Sequence, residues 1–107
     1  MIATLCWIDR LKMCIRDRSR IVWTDYMLYR AKLRGFKLDL LEQIVRRSSE
    51  RYYDVETGRL VVVGHHNNDL VMIPYDKEDD IITPVTVHIT TRQQINLRLK
   101  MERLIYE

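Results

Sequence analysis

The chain has 107 residues, of which 18 are Lys or Arg and 15 are Asp or Glu, so its formal net charge is +3 at pH 7. It lacks an apolar run near the roughly 20 residues that span a bilayer, and it shows no secretory signal. The sequence therefore predicts a cytoplasmic protein that does not enter a membrane. Both cysteines, Cys6 and Cys14, lie near the N-terminus. This excludes a disulfide framework and a thiolate metal site from the remainder.

We interpret the first 18 residues as having a different origin from the rest of the chain. Met13–Arg18 reads Met-Cys-Ile-Arg-Asp-Arg and resembles a translated transposase sequencing adapter. We therefore interpret residues 1–18 as a non-native assembly artefact, and residues 19–107 as a single domain. The alternative is a short basic amphipathic helix over Leu5–Arg18. Residues 1–18 hold four basic and two acidic side chains, which leaves 14 and 13 in residues 19–107. A near-neutral domain needs a local basic patch to bind nucleic acid.

Two short helices are predicted at the start of this domain. Thr24 suits an N-cap for a helix over Asp25–Arg34, and Gly35 suits its C-terminal stop. A second helix is predicted over Leu38–Arg47, because its apolar residues recur at helical spacing and its charges complement the helix dipole. Since a tight turn with one glycine, Gly35, joins them, the two helices are expected to form a helical hairpin.

From Arg51 onwards the apolar period changes to two, which predicts a four-stranded, mainly antiparallel sheet. Turn residues divide it into strands over 51–55, 59–66, 70–75 and 81–90, and the acidic run 76–80 is predicted to be a solvated loop. Pro84 cannot donate to a ladder, so it implies a bulge or an unpaired edge position. A final helix is predicted over 92–105, capped by Thr90 or Thr91. The predicted fold class is α+β.

Several strings in this order resemble the RelE/ParE-type toxin superfamily, and most closely its BrnT-like and related uncharacterised RelE-like branch. They are the helix end Tyr29–Phe36, the hairpin Thr57–Gly64 and the strand-to-helix passage Val87–Arg92. The resemblance implies a RelE-like fold. Ribonuclease members of that superfamily cleave messenger RNA on the ribosome without metal or cofactor, and each is neutralised by an antitoxin. Other members act on gyrase or have no known activity. The near-neutral charge and the acidic run 76–80 depart from the ribonuclease pattern.

Metal-independent RNA cleavage needs a base for the 2′-hydroxyl, an acid for the leaving 5′-oxygen, and cations for the phosphate. His88 and Arg92 are the leading catalytic pair, because His88 shares a strand face with Thr86 and Thr90 and because Arg92 opens the next helix. The alternative is that His88 bonds within the sheet and that Arg92 is simply solvated.

Other side chains are weaker candidates. His65 is a further candidate acid or base, but it and His66 point to opposite faces, so a metal site is not expected. Tyr75 could stack an RNA base, although a core role is the alternative. Candidate phosphate ligands on the first helix are Arg30, Lys32 and Arg34.

Two functions follow. The first is a toxin-like component of a bacterial type II toxin–antitoxin module, in its sharpest form a metal-independent ribonuclease that acts on RNA or the ribosome. It predicts an antitoxin docked on an exposed sheet edge or on the apolar stripe Met101, Leu104 and Ile105. The alternative is a non-catalytic interaction domain of the same fold, which would form a homodimer and would not be toxic.

Overall fold

A computed structural model describes residues 20–106, so the interpretation of residues 1–18 lies outside the described residues. The fold is α+β, with three helices and a seven-stranded open sheet in the described part. The elements in chain order are β1 (Arg20–Ile21), α1 (Asp25–Arg34), α2 (Leu38–Arg47), β2 (Arg51–Asp54), β3 (Arg59–His66), β4 (Asp69–Glu78), β5 (Ile81–Pro84), β6 (His88–Thr90), α3 (Arg92–Lys100) and β7 (Leu104–Tyr106).

Helices α1 and α2 have the predicted bounds. The Thr24 hydroxyl accepts a hydrogen bond from the Met27 N–H at 3.1 Å and so satisfies a free donor at the start of α1. Gly35 ends α1 in the left-handed region at φ 75°, where glycine meets no Cβ penalty. Lys37 occupies the N-cap position of α2, and its backbone N–H donates to Nε2 of His66 at 2.8 Å. The start of α2 is thereby tied to the end of β3.

The sheet has the order β1-β5-β4-β3-β2-β7, and β6 pairs with β4. Among the strands of residues 20–106, β1 runs parallel to its neighbour and the other pairs are antiparallel. The predicted count of four strands is too low by three, because β1, β6 and β7 were not predicted as separate strands. β1 was missed because two residues carry no periodic signal. β4 is longer than predicted, since Glu78 still pairs with Ile81 and only Asp79 and Asp80 form the turn.

The predicted strand 81–90 is in fact two strands separated by a bulge. Tyr75 pairs with Pro84, whereas Met72 pairs with His88, so two residues of β4 lie opposite three residues of the other chain segment. One extra residue is inserted between Pro84 and His88, and a bulge is one of the two possibilities that Pro84 implied. Because side chains alternate along a strand, the insertion exchanges the residues that face each side of the sheet.

The predicted helix 92–105 is too long. Helix α3 ends at Lys100, and Glu102 adopts φ 61° in the turn that follows. Residues 104–106 then form β7, which pairs antiparallel with β2. Leu104 is therefore buried in the sheet, 1% exposed, and is not part of an exposed helical stripe. Met101 and Ile105 do remain exposed.

Apolar side chains cover both faces of the sheet. Helices α1 and α2 pack on one face, and α3 packs on the other over a smaller core. No helix in residues 20–106 is long and apolar enough to cross a membrane. The buried members of the larger core are Met27, Ala31, Phe36, Leu41, Ile44, Val45, Val62, Val71, Ile73, Tyr75, Ile82 and Val87; those of the smaller core are Tyr52, Val61, Val63, Met72, Ile95 and Leu104.

Candidate functional site

A cluster of polar side chains lies on the α3 face of the sheet where β2 begins. Glu50 precedes β2, and its Oε2 accepts a hydrogen bond from the Tyr52 hydroxyl at 2.6 Å. Arg92, the first residue of α3, donates to both carboxylate oxygens, with Nη2 at 3.1 Å from Oε1. His65 is exposed on β3, and its charge acts on Glu50. We call Glu50, Tyr52, His65 and Arg92 the Glu50 site.

Strand register brings the Glu50 site together. The Val63 N–H donates to the Glu50 carbonyl at 3.0 Å, so Glu50 lies opposite Val63 and shares its face. His65 is two residues further along β3 and therefore lies on the same face, diagonally across from Glu50. Arg92 arrives from the opposite direction, because Thr91 caps α3 and fixes where the helix starts.

The electrostatics of the Glu50 site favour an ionised carboxylate. Partial burial alone would raise the pKa of Glu50, but the hydrogen bonds from Arg92 and Tyr52, together with the nearby Arg92 and His65 charges, lower the pKa below its usual 4.5. Burial and the bond to Glu50 raise the pKa of Tyr52, so its hydroxyl remains a donor. In this arrangement a carboxylate, a guanidinium and an imidazole lie at one partly exposed place, which can support proton transfer beside a phosphate.

An open cleft of about 310 Å³ lies between the end of α2 and β3, on the side of the sheet opposite the Glu50 site. Its lining includes Arg47, Gly64 and His65. His66 points the other way, as predicted: it is 4% exposed and packs edge-on against Phe36 at 5.0 Å. Its Nε2 already accepts the Lys37 N–H, which gives His66 a structural role.

His88 has a different environment, on β6 at the side of the sheet. Its Nδ1 lies 3.4 Å from Nη2 of Arg30, and Nε of Arg30 donates to the Val87 carbonyl at 3.3 Å. Since arginine only donates, Nδ1 is the acceptor and the neutral ring carries its proton on Nε2. Burial first, and then the charges of Arg30, Arg98 and Arg34, lower the pKa of His88 below 6.5.

The structure gives the two members of the predicted catalytic pair separate partners. Arg92 bonds to Glu50 near β2, whereas His88 contacts Arg30 of α1. His88 and Thr90 do share a face, opposite Met72 and Leu70, but Thr90 is 8% exposed because its hydroxyl bonds to Gln94 in α3. The polar strand face that the sequence predicted is therefore partly covered by α3.

Three other predicted ligands have clear positions. Arg30 and Arg34 are four residues apart on α1 and share a helix face, which is why both charges act on His88. Lys32 is exposed on a different face of that helix. Tyr75 is 2% exposed, and its hydroxyl accepts from Nη1 of Arg51 at 3.1 Å, so its ring is not presented for base stacking.

Sequence reasoning missed Glu50, Tyr52 and Arg98. Glu50 directly precedes a strand and has no motif around it, and its partner Arg92 is 42 residues away. Only the strand register and the start of α3 join them, so no spacing in the sequence indicates the pair. Arg98 reads as an ordinary basic residue near the end of α3, where it favours the helix dipole.

Within residues 20–106 no group of three or more His, Cys, Asp or Glu side chains is arranged to hold a metal ion. Comparison with family models, with curated proteins and with solved structures gives no match. The inference of function therefore depends on the geometry of the chain itself.

Proposed function

We propose that the chain is a toxin-like component of a bacterial type II toxin–antitoxin module with a RelE-like fold, and that it cleaves RNA at the Glu50 site without a metal ion. The observation that carries the proposal is the partly exposed Glu50 carboxylate, held by Arg92 and Tyr52 beside the exposed His65. This set supplies each of the three functions that RNA cleavage needs.

Arg92 is suited to bind the scissile phosphate. Its guanidinium is half exposed, and a fork of N–H donors can exchange one carboxylate oxygen for a phosphate oxygen. That exchange removes a hydrogen bond that keeps the pKa of Glu50 low. Substrate binding would therefore make Glu50 a stronger base at the time when one is required.

The chemical step transfers two protons and exchanges one bond to phosphorus for another. Glu50 accepts the proton of the 2′-hydroxyl, and the 2′-oxygen forms a bond to phosphorus. The bond from phosphorus to the 5′-oxygen breaks, and the leaving oxygen takes a proton from the His65 imidazolium. The products are a 2′,3′-cyclic phosphate and a 5′-hydroxyl end, and Arg92 stabilises the charge on the pentavalent phosphate.

The test is RNA cleavage by the purified full chain in the presence of a metal chelator. We expect Glu50→Gln, Arg92→Gln and His65→Gln each to lower the rate by at least about 100-fold. The matched control is Arg103→Gln, which breaks a second exposed ion pair, with Glu56, elsewhere on the domain. Folded Glu50→Gln protein with an unchanged rate would contradict the proposal, as would absence of cleavage of RNA and of ribosome-bound messenger by the parent chain.

A second candidate is a non-catalytic interaction domain, and the exposed apolar side chains of α1 favour it. Tyr26, Tyr29 and Leu33 are 55%, 62% and 61% exposed at positions that follow one helical stripe. On the toxin proposal this stripe is a further docking surface for an antitoxin, in addition to those predicted from the sequence, whereas the alternative assigns it to a second copy of the chain. Sedimentation of the purified chain separates the two: a stable dimer that leaves RNA intact supports the alternative.

A further inference from the structure

The arginines around His88 form a concentration of positive charge that no ion pair within residues 20–106 neutralises. Among residues 20–106 the ion pairs involve Arg46, Arg59, Arg92 and Arg103, whereas Arg30 contacts only a backbone carbonyl and the His88 ring. Arg98 is partly exposed and approaches Sδ of Met72 at 4.0 Å. Arg30 of α1 thus contacts the His88 ring, and the charges of Arg34 on α1 and of Arg98 on α3 also act on it.

The acidic run at the far end of β4 is too distant to cancel this charge. Glu78, Asp79 and Asp80 lie at the far end of β4, six residues beyond Met72, which pairs with His88. At about 3.3 Å per residue this is about 20 Å. That distance is about twice the screening length at physiological salt. The acidic run therefore leaves the positive charge around His88 in place.

We propose that Arg30, Arg34, His88 and Arg98 form a phosphate-binding site, which we call the His88 site. Arginine forks and an imidazole N–H are the donors that phosphate oxygens prefer. The ligand class is a phosphodiester anion. Its assignment to the RNA backbone rests on the proposed function, whereas phosphate binding itself rests on the geometry of the site.

Position supports a polynucleotide as the ligand. A row of paired residues crosses the sheet on the α3 face. Glu50 lies opposite Val63, Val63 opposite Met72, and Met72 opposite His88. Three strand spacings of about 4.8 Å separate the Glu50 and His88 backbones, which is about 14 Å. An oligoribonucleotide of a few residues can reach from one site to the other. The His88 site would then hold one backbone phosphate while Arg92 holds another.

The site should also bind more tightly at lower pH. The charged groups that face His88 are Arg30 and Arg34 from α1 and Arg98 from α3; its β4 neighbour, Met72, is uncharged. Burial and these cations lower the pKa of His88 and so favour the neutral ring. A bound phosphate offsets their charge, so the ring takes up a proton on binding, and a shift of one pKa unit makes binding up to about tenfold tighter at low pH.

The experiment measures binding of a labelled oligothymidylate, which has no 2′-hydroxyl and is not cleaved, to the full chain. We expect Arg98→Gln and Arg34→Gln each to weaken binding about tenfold. Arg103→Gln removes the same charge outside the site and should change binding less than about twofold. His88→Gln should remove the tightening between about pH 8 and about pH 6. Inorganic phosphate as a competitor tests whether a free anion occupies the same site.

The experiment separates failure of the His88 site from failure of the catalytic proposal. Equal weakening by Arg98→Gln and Arg103→Gln, or tightening at low pH that persists in His88→Gln, would overturn the His88 site whatever the RNA cleavage assay gives. Conversely, selective loss in Arg98→Gln together with normal cleavage by Glu50→Gln would keep the phosphate site and reject the catalytic proposal. Competition by inorganic phosphate at concentrations similar to those of the oligonucleotide would indicate a free anion as ligand instead of a polymer.

Discussion

Substitution of Gly64 by alanine tests how closely α2 packs on the sheet. Gly64 lies in β3 opposite Val71, on the face covered by α2. A Cβ at this position would lie 2.8 Å from Cγ2 and 3.0 Å from Cγ1 of Ile44. Both distances are below ordinary carbon contact, and Ile44 is buried at 8% exposure. The helix or the side chain must therefore move to accept one methyl group.

The magnitude follows from two opposing effects. Overpacking of a filled core costs about 1–3 kcal/mol. Replacement of glycine in a strand recovers about 0.5–1 kcal/mol by restricting the unfolded chain. We expect Gly64→Ala to lower the free energy of unfolding by about 1–2 kcal/mol. Ile44→Ala alone should cost about 2–4 kcal/mol, since it creates a cavity in the core.

A double-mutant cycle isolates the contact. Ile44→Ala removes both clashing carbons and leaves only Cβ, 3.4 Å from the new methyl. The double variant should therefore be about 1–2 kcal/mol more stable than additivity predicts. Ile44→Val is the matched control, because it keeps Cγ1 and Cγ2 and should show no such rescue. Urea unfolding of the full chain followed by circular dichroism measures all the free energies. Additivity in the Ile44→Ala cycle, or a Gly64→Ala protein at least as stable as the parent, would refute this description of the packing.

Three further substitutions test other parts of the structure. Because its folded pKa is lowered below 4.5, ionised Glu50 stabilises the fold above about pH 4.5, and that stability is lost as the pH falls through the folded value. Glu50→Gln should therefore cost about 1–2 kcal/mol at pH 7 and progressively less in acid, and urea midpoints that differ by a constant amount down to pH 3 would contradict this. The Thr86 hydroxyl is buried without a hydrogen-bond partner; Thr86→Val should raise stability by about 1 kcal/mol, seen as a melting temperature about 4–8 °C higher, whereas a lower temperature would reveal a partner for the hydroxyl. Gly35→Ala must hold a Cβ at φ 75° and should lower the free energy of unfolding by about 1–2 kcal/mol. Gly35→Asn should lower it less, because asparagine tolerates the left-handed region. Equal losses of stability in the two variants, measured by thermal unfolding, would argue against the glycine cap.

Local signals predicted the elements whose determinants are local. Thr24 and Gly35 fix the ends of α1 through their own backbone geometry and capping bonds, so the sequence was sufficient. The turn before β3 was likewise readable, because Gly58 adopts φ 74° and only glycine does so without cost. Each of these features depends on interactions within about four residues.

Features that depend on strand pairing were not readable. The end of α3 was predicted at residue 105 because Met101, Leu104 and Ile105 have helical spacing, but pairing with β2 takes residues 104–106 into the sheet. Helical and strand patterns of three apolar residues are hard to distinguish, and tertiary pairing decided between them. Residues 76–78 were predicted in a loop by their polarity, although backbone pairing with β5 holds them in β4.

The bulge between β5 and β6 determines which chemistry the sheet can present. The register of β5 with β4, continued without an inserted residue, would place His88 opposite Val71, on the face covered by α1 and α2. The extra residue instead places His88 opposite Met72, on the α3 face and in the row that includes Glu50. Arg98 of α3 can then act on the same ring as Arg30 of α1. A prediction based on the polarity of single strands could identify His88 as a candidate residue. It could not assign the partners, because one inserted residue exchanges the two faces of the sheet.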